Sequence, residues 1–104
     1  MINIFNDNNW ENIKKEEISV IQFSASWCSP CKELTPVLEK LSKNFEGKAT
    51  FYYADVEEGG LNKGSELGIK GVPSTIIFRR GVEVDRLTGY PGEAEVSEWL
   101  SKSI

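Results

Sequence analysis

Ile18-Ser19-Val20-Ile21-Gln22-Phe23, followed at once by Ser24-Ala25-Ser26-Trp27-Cys28-Ser29-Pro30-Cys31, is the stretch on which the fold turns. Its first part is short, β-branched and almost continuously apolar, the pattern of a strand covered on both faces. After Pro30, apolar residues recur at Leu34, Val37, Leu38, Leu41 and Phe45. Those intervals of three and four define one face of an amphipathic helix. Proline is tolerated in a first helical turn, and Gly47 stands where a C-terminal cap belongs. Pro36 falls inside this helix, removes one backbone hydrogen bond and is expected to kink it. Ala49 to Val56 reads as another buried strand, ending among the acidic Asp55, Glu57 and Glu58. Strand, helix, strand in this order predicts a parallel pair with a right-handed crossover.

Upstream, Ile2 and Ile4 alternate with Asn before the polar run Asn6 to Asn9, which predicts a short edge strand. Trp10 and Ile13 share one face of a short helix, with Asn9 as its expected N-cap. Downstream, the glycines between Gly59 and Gly68 leave room only for a short helix, over Leu61 to Leu67. Thr75 to Arg79 and Val82 to Leu87 are strands separated by Arg80-Gly81, a hairpin signal. Val96, Trp99 and Leu100 mark the buried stripe of a last helix. The expected fold class is α/β: a βαβ half and a ββα half around one central mixed sheet, with helices on both faces. At 104 residues, with no repeat or linker, residues 1–104 are expected to form a single domain.

Hydrophobic residues make up 39% and charged residues 27%, the balance of an ordinary water-soluble domain. The net charge of −4 argues against a general attraction to nucleic-acid phosphates or anionic lipid. No run approaches the roughly 20 apolar residues of a membrane span, and the start lacks the features of a secretory signal. The expectation is a cytoplasmic monomer with no nucleic-acid or membrane partner.

The chain has two cysteines, Cys28 and Cys31, and no histidine. At i and i+3 in a first helical turn they share a face, so a disulfide can close between them. The helix N-terminus favours negative charge and lowers a thiol pKa there, and Lys32 adds a cation nearby. Plainer readings compete. A structural disulfide over so short a loop would stabilise by only about 2 kcal/mol. A zinc site needs four ligands where one C-x-x-C supplies two, so no metal is expected. Chance spacing in an inert fold is the third.

Trp27-Cys28-Ser29-Pro30-Cys31-Lys32, together with Phe23, Ala25, Pro36, Gly68-Ile69-Lys70-Gly71-Val72-Pro73-Ser74, the Phe78 to Val84 hairpin and Gly89, resembles the thioredoxin family over essentially the whole length. The combination of W-C-x-P-C-K with G-V-P-S before a hairpin is highly specific. The resemblance implies the thioredoxin fold and a cis peptide between Val72 and Pro73, packed against the cysteines. It implies that the Val72 backbone pairs with an extended substrate segment, a one-rung form of strand addition. By similarity Trp27, Val56, Gly71, Gly89 and Tyr90 line the groove, whereas the plain alternative for Trp27 is a core aromatic.

The activity implied is protein-disulfide reduction. The Cys28 thiolate attacks a substrate disulfide, and the more buried, protonated Cys31 resolves the mixed disulfide. Lowering a thiol pKa from about 8.5 to about 7, a known value for thioredoxin itself rather than one read from this chain, raises the thiolate fraction roughly 15-fold at neutrality. The weaker nucleophilicity of that thiolate takes back about 5-fold, so positioning must supply most of the rate. A separate reductase of unspecified type and disulfide-containing protein substrates are the expected partners. No bound cofactor is expected, since no G-x-G-x-x-G follows a strand. An oxidising isomerase is a variant of this reading, though a His between the cysteines is commoner there than Ser29-Pro30. A rival of another kind is a thioredoxin-fold binding subunit that docks one partner and whose thiols are incidental.

The chain departs from the family at instructive places. Gln22 stands where a buried Asp is usual, and Tyr53 where its Lys partner is expected. An amide cannot accept the proton of the resolving cysteine as a carboxylate can. Losing both charges together is coherent, because either alone would be buried unpaired. Ser29 replaces the commoner Gly and is expected to alter hydrogen bonding near Cys28. Ser24 replaces a frequent Trp and is expected to open the floor beneath the motif.

Overall fold

A computed structural model describes residues 1–104. The apolar run from Ile18 forms strand β2 (Ile18–Ser24), and every residue of it is buried. It lies at the centre of a five-stranded sheet of order β1-β3-β2-β4-β5. The other strands are β1 (Ile2–Ile4), β3 (Thr50–Asp55), β4 (Ser74–Arg79) and β5 (Val82–Thr88). β3 runs parallel to β1 and β2, whereas β4 is antiparallel to β2 and β5. Helices α1 (Trp10–Ile13), α2 (Ser29–Ser42), α3 (Leu61–Glu66) and α4 (Glu93–Ser103) connect and cover these strands.

Alternation along the strands sorts side chains into two cores, one on each face. Val20 pairs in register with Phe51 and Ile77, and this row packs under Leu34, Leu38 and Leu41 of α2 and Val96 and Leu100 of α4. Ile21, Phe23, Ala54, Ile76 and Phe78 face the other way, onto Phe5 and Ile13. There the Trp10 ring meets Phe78 edge-on at 5.1 Å. Both faces of the sheet are therefore covered, as expected for a βαβ unit.

Local sequence explains most boundaries, with three adjustments. α2 runs unbroken through Pro36 and stops at Ser42, and a 3-10 turn at Lys43–Phe45 follows before Gly47 takes a left-handed φ of +83°. Asn9 makes no side-chain capping bond. Instead Asn6 accepts from the Asn8 amide at 3.1 Å and starts a 3-10 turn (Asp7–Asn9) that leads into α1. The Asp7 carboxylate reaches across the fold to accept from the Asn62 and Lys63 amides at the start of α3, 3.0 Å each. The Arg80-Gly81 turn has φ of +50° and +82°, which suits the right-handed twist of a two-residue hairpin.

This topology sets the position of the site. β2 and β3 end, and β4 begins, at the same rim of the sheet, and the cysteines, Val56 and Pro73 follow or precede those ends directly. The C-terminal rim of parallel strands is where α/β sheets commonly bind ligands.

Candidate active site

Cys28 is the N-cap residue of α2, in extended conformation, and its sulfur accepts from the Cys31 amide at 3.2 Å. Pro30 fits beside it because the first helical turn has amides with no intrahelical acceptor to miss. Cys28 and Cys31 are joined by a disulfide. The helix N-terminus therefore directs its positive end and a backbone donor at Cys28, the arrangement that stabilises a sulfur anion once the bond is reduced.

Ala25, Val56 and Val72 pack against the pair. The Val72–Pro73 peptide is cis, and Pro73 accepts at its carbonyl from the Gly89 amide at 2.7 Å. The Ser74 hydroxyl donates to the Gly71 carbonyl and closes the turn around the proline. Trp27 is 66% exposed, so the core-aromatic alternative does not hold; its indole N–H donates to Glu57 at 3.0 Å. Ser29, Pro30 and Lys32 are exposed on the first turn of α2.

The structure departs from expectation at three of these positions. The contrast in burial between the cysteines is slight, 4% exposure for Cys28 against 2% for Cys31, because in the disulfide each sulfur is covered by the other and by the valines. Tyr90 packs onto the α2–α4 core, so its ring serves the fold as much as any groove. Ser24 does not open the floor: it is fully buried and its hydroxyl accepts from the Gln22 amide nitrogen at 2.8 Å.

Gln22 is completely buried and sits in register between Tyr53 and Thr75, so Tyr53 occupies the neighbouring position on β3 that the sequence assigned to it. Burial, and then the charge of Asp55, raise the Tyr53 phenol pKa and keep it neutral. The Gln22 amide nitrogen also donates to Thr35 at 3.0 Å and lies 3.4 Å from the Cys31 carbonyl. Thr35 Oγ1 in turn donates to that carbonyl at 2.9 Å. Thr35 and Glu57 escaped the sequence reading. The first looks like any helical threonine, and the second acts across 30 residues. A polar residue one turn beyond Cys31, at an otherwise core-facing spacing, was the available signal for Thr35.

A disulfide closed over the first turn of a helix, against a cis-proline loop at the rim of a mixed sheet, defines a thiol–disulfide oxidoreductase. Comparison with known proteins agrees. The sequence model of the thioredoxin family matches residues 1–102. A thioredoxin of Staphylococcus saprophyticus is 30% identical over 98 residues, covering 94% of this chain and 93% of the relative. One from Rickettsia conorii is 34% identical over 85 residues, covering 82% and 80%. The crystal structure of Malassezia sympodialis thioredoxin superposes with a TM-score of 0.88 at 26% identity, covering 99% of this chain and 90% of that one. The chain belongs to the thioredoxin family. No helix in it is long and apolar enough to cross a membrane.

Proposed function

We propose that this oxidoreductase works as a protein-disulfide reductase, with Cys28 as nucleophile and Cys31 as resolving thiol. The observation that carries the assignment is the position of Cys28 at the α2 N-cap, its sulfur accepting the Cys31 amide. In the reduced protein the Cys28 thiolate attacks one sulfur of a substrate disulfide, and the other substrate sulfur leaves as a thiolate. Cys31 then loses its proton and attacks Cys28. The Cys28–substrate bond breaks, the second substrate sulfur departs with the electron pair, and the two cysteines are left oxidised.

Trp27, Val56, Gly71, Val72, Pro73, Gly89 and Tyr90 are the residues assigned to the substrate groove, with Ser29, Pro30, Lys32 and Gln22 supporting the pair. Val72, half-buried beside the disulfide, leaves its backbone free of any ladder partner, which supports pairing with an extended substrate strand. The partners are disulfide-bearing proteins and a reductase that restores the dithiol. The protein acts as a cytoplasmic monomer with no resident cofactor.

Reduction of insulin with dithiothreitol as electron source tests this. The wild type is expected to accelerate precipitation of the insulin chains, and Cys28→Ser to fall to the uncatalysed rate. Full activity in Cys28→Ser would overturn the assignment of the nucleophile.

A further inference from the structure

Beneath the cysteines the chain places an amide, and its orientation is fixed. The Gln22 nitrogen points at Ser24 Oγ, Thr35 Oγ1 and the Cys31 carbonyl; a flipped amide would set its oxygen against that carbonyl. Thr35 Oγ1 lies 3.2 Å from the Gln22 carbonyl oxygen and 2.9 Å from that of Cys31; with its one proton on the shorter bond, a directed chain runs from Gln22 through Thr35 to Cys31. This chain holds the first turn of α2 at the backbone of the resolving cysteine. An amide remains neutral through the physiological range and takes no proton.

The adjoining elements carry few other polar or titratable groups near this end of the sheet. Tyr53 on β3 carries a phenol that burial keeps protonated. Asp55, at the end of β3, turns its carboxylate to the Glu57 amide at 2.8 Å. Thr75 on β4 is a hydroxyl, and Lys32 and Glu33 on α2 face solvent. Glu57 is occupied by the Trp27 indole.

Resting on the reductase reading, we infer that Gln22 and Thr35 are positioning residues that orient Cys31 without accepting its proton, and that the proton passes to solvent before attack. The resolving step then balances simply. The Cys31 S–H bond gives its proton to water, and the Cys31 sulfur forms a bond to Cys28. The Cys28–substrate bond breaks, and the substrate sulfur leaves as a thiolate that takes a solvent proton as pH dictates.

The mixed disulfide of Cys28 with 2-nitro-5-thiobenzoate isolates this step, since its resolution releases a coloured thiolate and requires only Cys31. In the wild type the release rate should climb about tenfold per pH unit from about pH 5 to about pH 7, following ionisation of the thiol. Gln22→Asp, which supplies an internal acceptor, should flatten that dependence. Thr35→Val should lower the rate about fivefold at every pH with the slope unchanged, and Thr35→Ser should restore it. A pH-independent plateau in the wild type would place an acceptor inside the fold and overturn the proton route. Unaltered rates in Thr35→Val would overturn the positioning role. Absence of release at any pH would instead remove Cys31 as resolving thiol, a failure of the reductase reading itself.

Discussion

Trp27 keeps two-thirds of its surface in water although it carries one of the largest apolar side chains in the protein. Leaving it outside forgoes burial that would stabilise the fold by a few kcal/mol. Its one polar atom donates to Glu57, which restrains the ring and leaves less entropy to be lost when something docks. An aromatic so placed is the type of residue that dominates an interface. Trp27→Ala is therefore expected to lower kcat/KM for insulin by about tenfold, the effect of a modest hot-spot truncation. A small disulfide such as lipoamide covers little of the ring, so its reduction should change far less. Equal losses on both substrates would move Trp27 from docking to chemistry. At this scale the sequence spoke clearly where residue type and spacing act together, as in Cys28, Cys31 and Pro73. It was silent on Glu57 and Thr35, whose roles exist only once distant elements meet.

Elements that follow local rules were legible in advance; those held by partners far along the chain were not. The two strand-like runs on either side of Arg80-Gly81 predict the hairpin, yet the register shift between Ile77 and Phe78 has no counterpart in the pattern. Asn9 looks like a cap by type, but the capping bond forms earlier, at Asn6, and the capping carboxylate of α3 comes from Asp7. The docking of α4 on β5 is of the same kind. Asp85 accepts from its neighbour's amide at Arg86, from the Trp99 indole at 2.8 Å and from Ser103 at 3.2 Å. These bonds, the Arg86 amide first, lower the Asp85 pKa against a small opposing effect of burial. A carboxyl with a depressed folded pKa stabilises the fold above its unfolded value, and that contribution is lost as pH falls below about 4. Because the group is exposed, the contribution at neutrality should stay under about 1 kcal/mol. Asp85→Asn should therefore have a lower urea midpoint than the wild type at pH 7, and the difference should close near about pH 2. A difference that persists unchanged in acid would mean that ionisation of Asp85 does not hold α4.

Taken as a whole, the molecule places its redox pair where breaking the bond leaves both cores intact. The α2–α4 core and the opposite core of Phe5, Phe23 and Phe78 lie along the sheet, and the disulfide caps only its rim. The order of elements was enough to foresee this layering, because a buried strand between two amphipathic helices leaves few alternatives. The extent to which the cysteines are covered was not, since Val56 and Val72 approach from separate loops. Cys28 and Cys31 are separated by 3 positions, so the cross-link constrains the unfolded chain only slightly. By the loop-entropy argument the oxidised protein gains about 2 kcal/mol over the reduced one. For a chain of this size that corresponds to a melting midpoint roughly 10 °C lower after reduction, with cooperative unfolding retained in both states. Calorimetry of the oxidised and dithiothreitol-reduced protein measures both quantities. Loss of cooperativity on reduction would mean that the pair holds the fold together, and a protein that must shed its disulfide at every turnover could not then serve as a carrier.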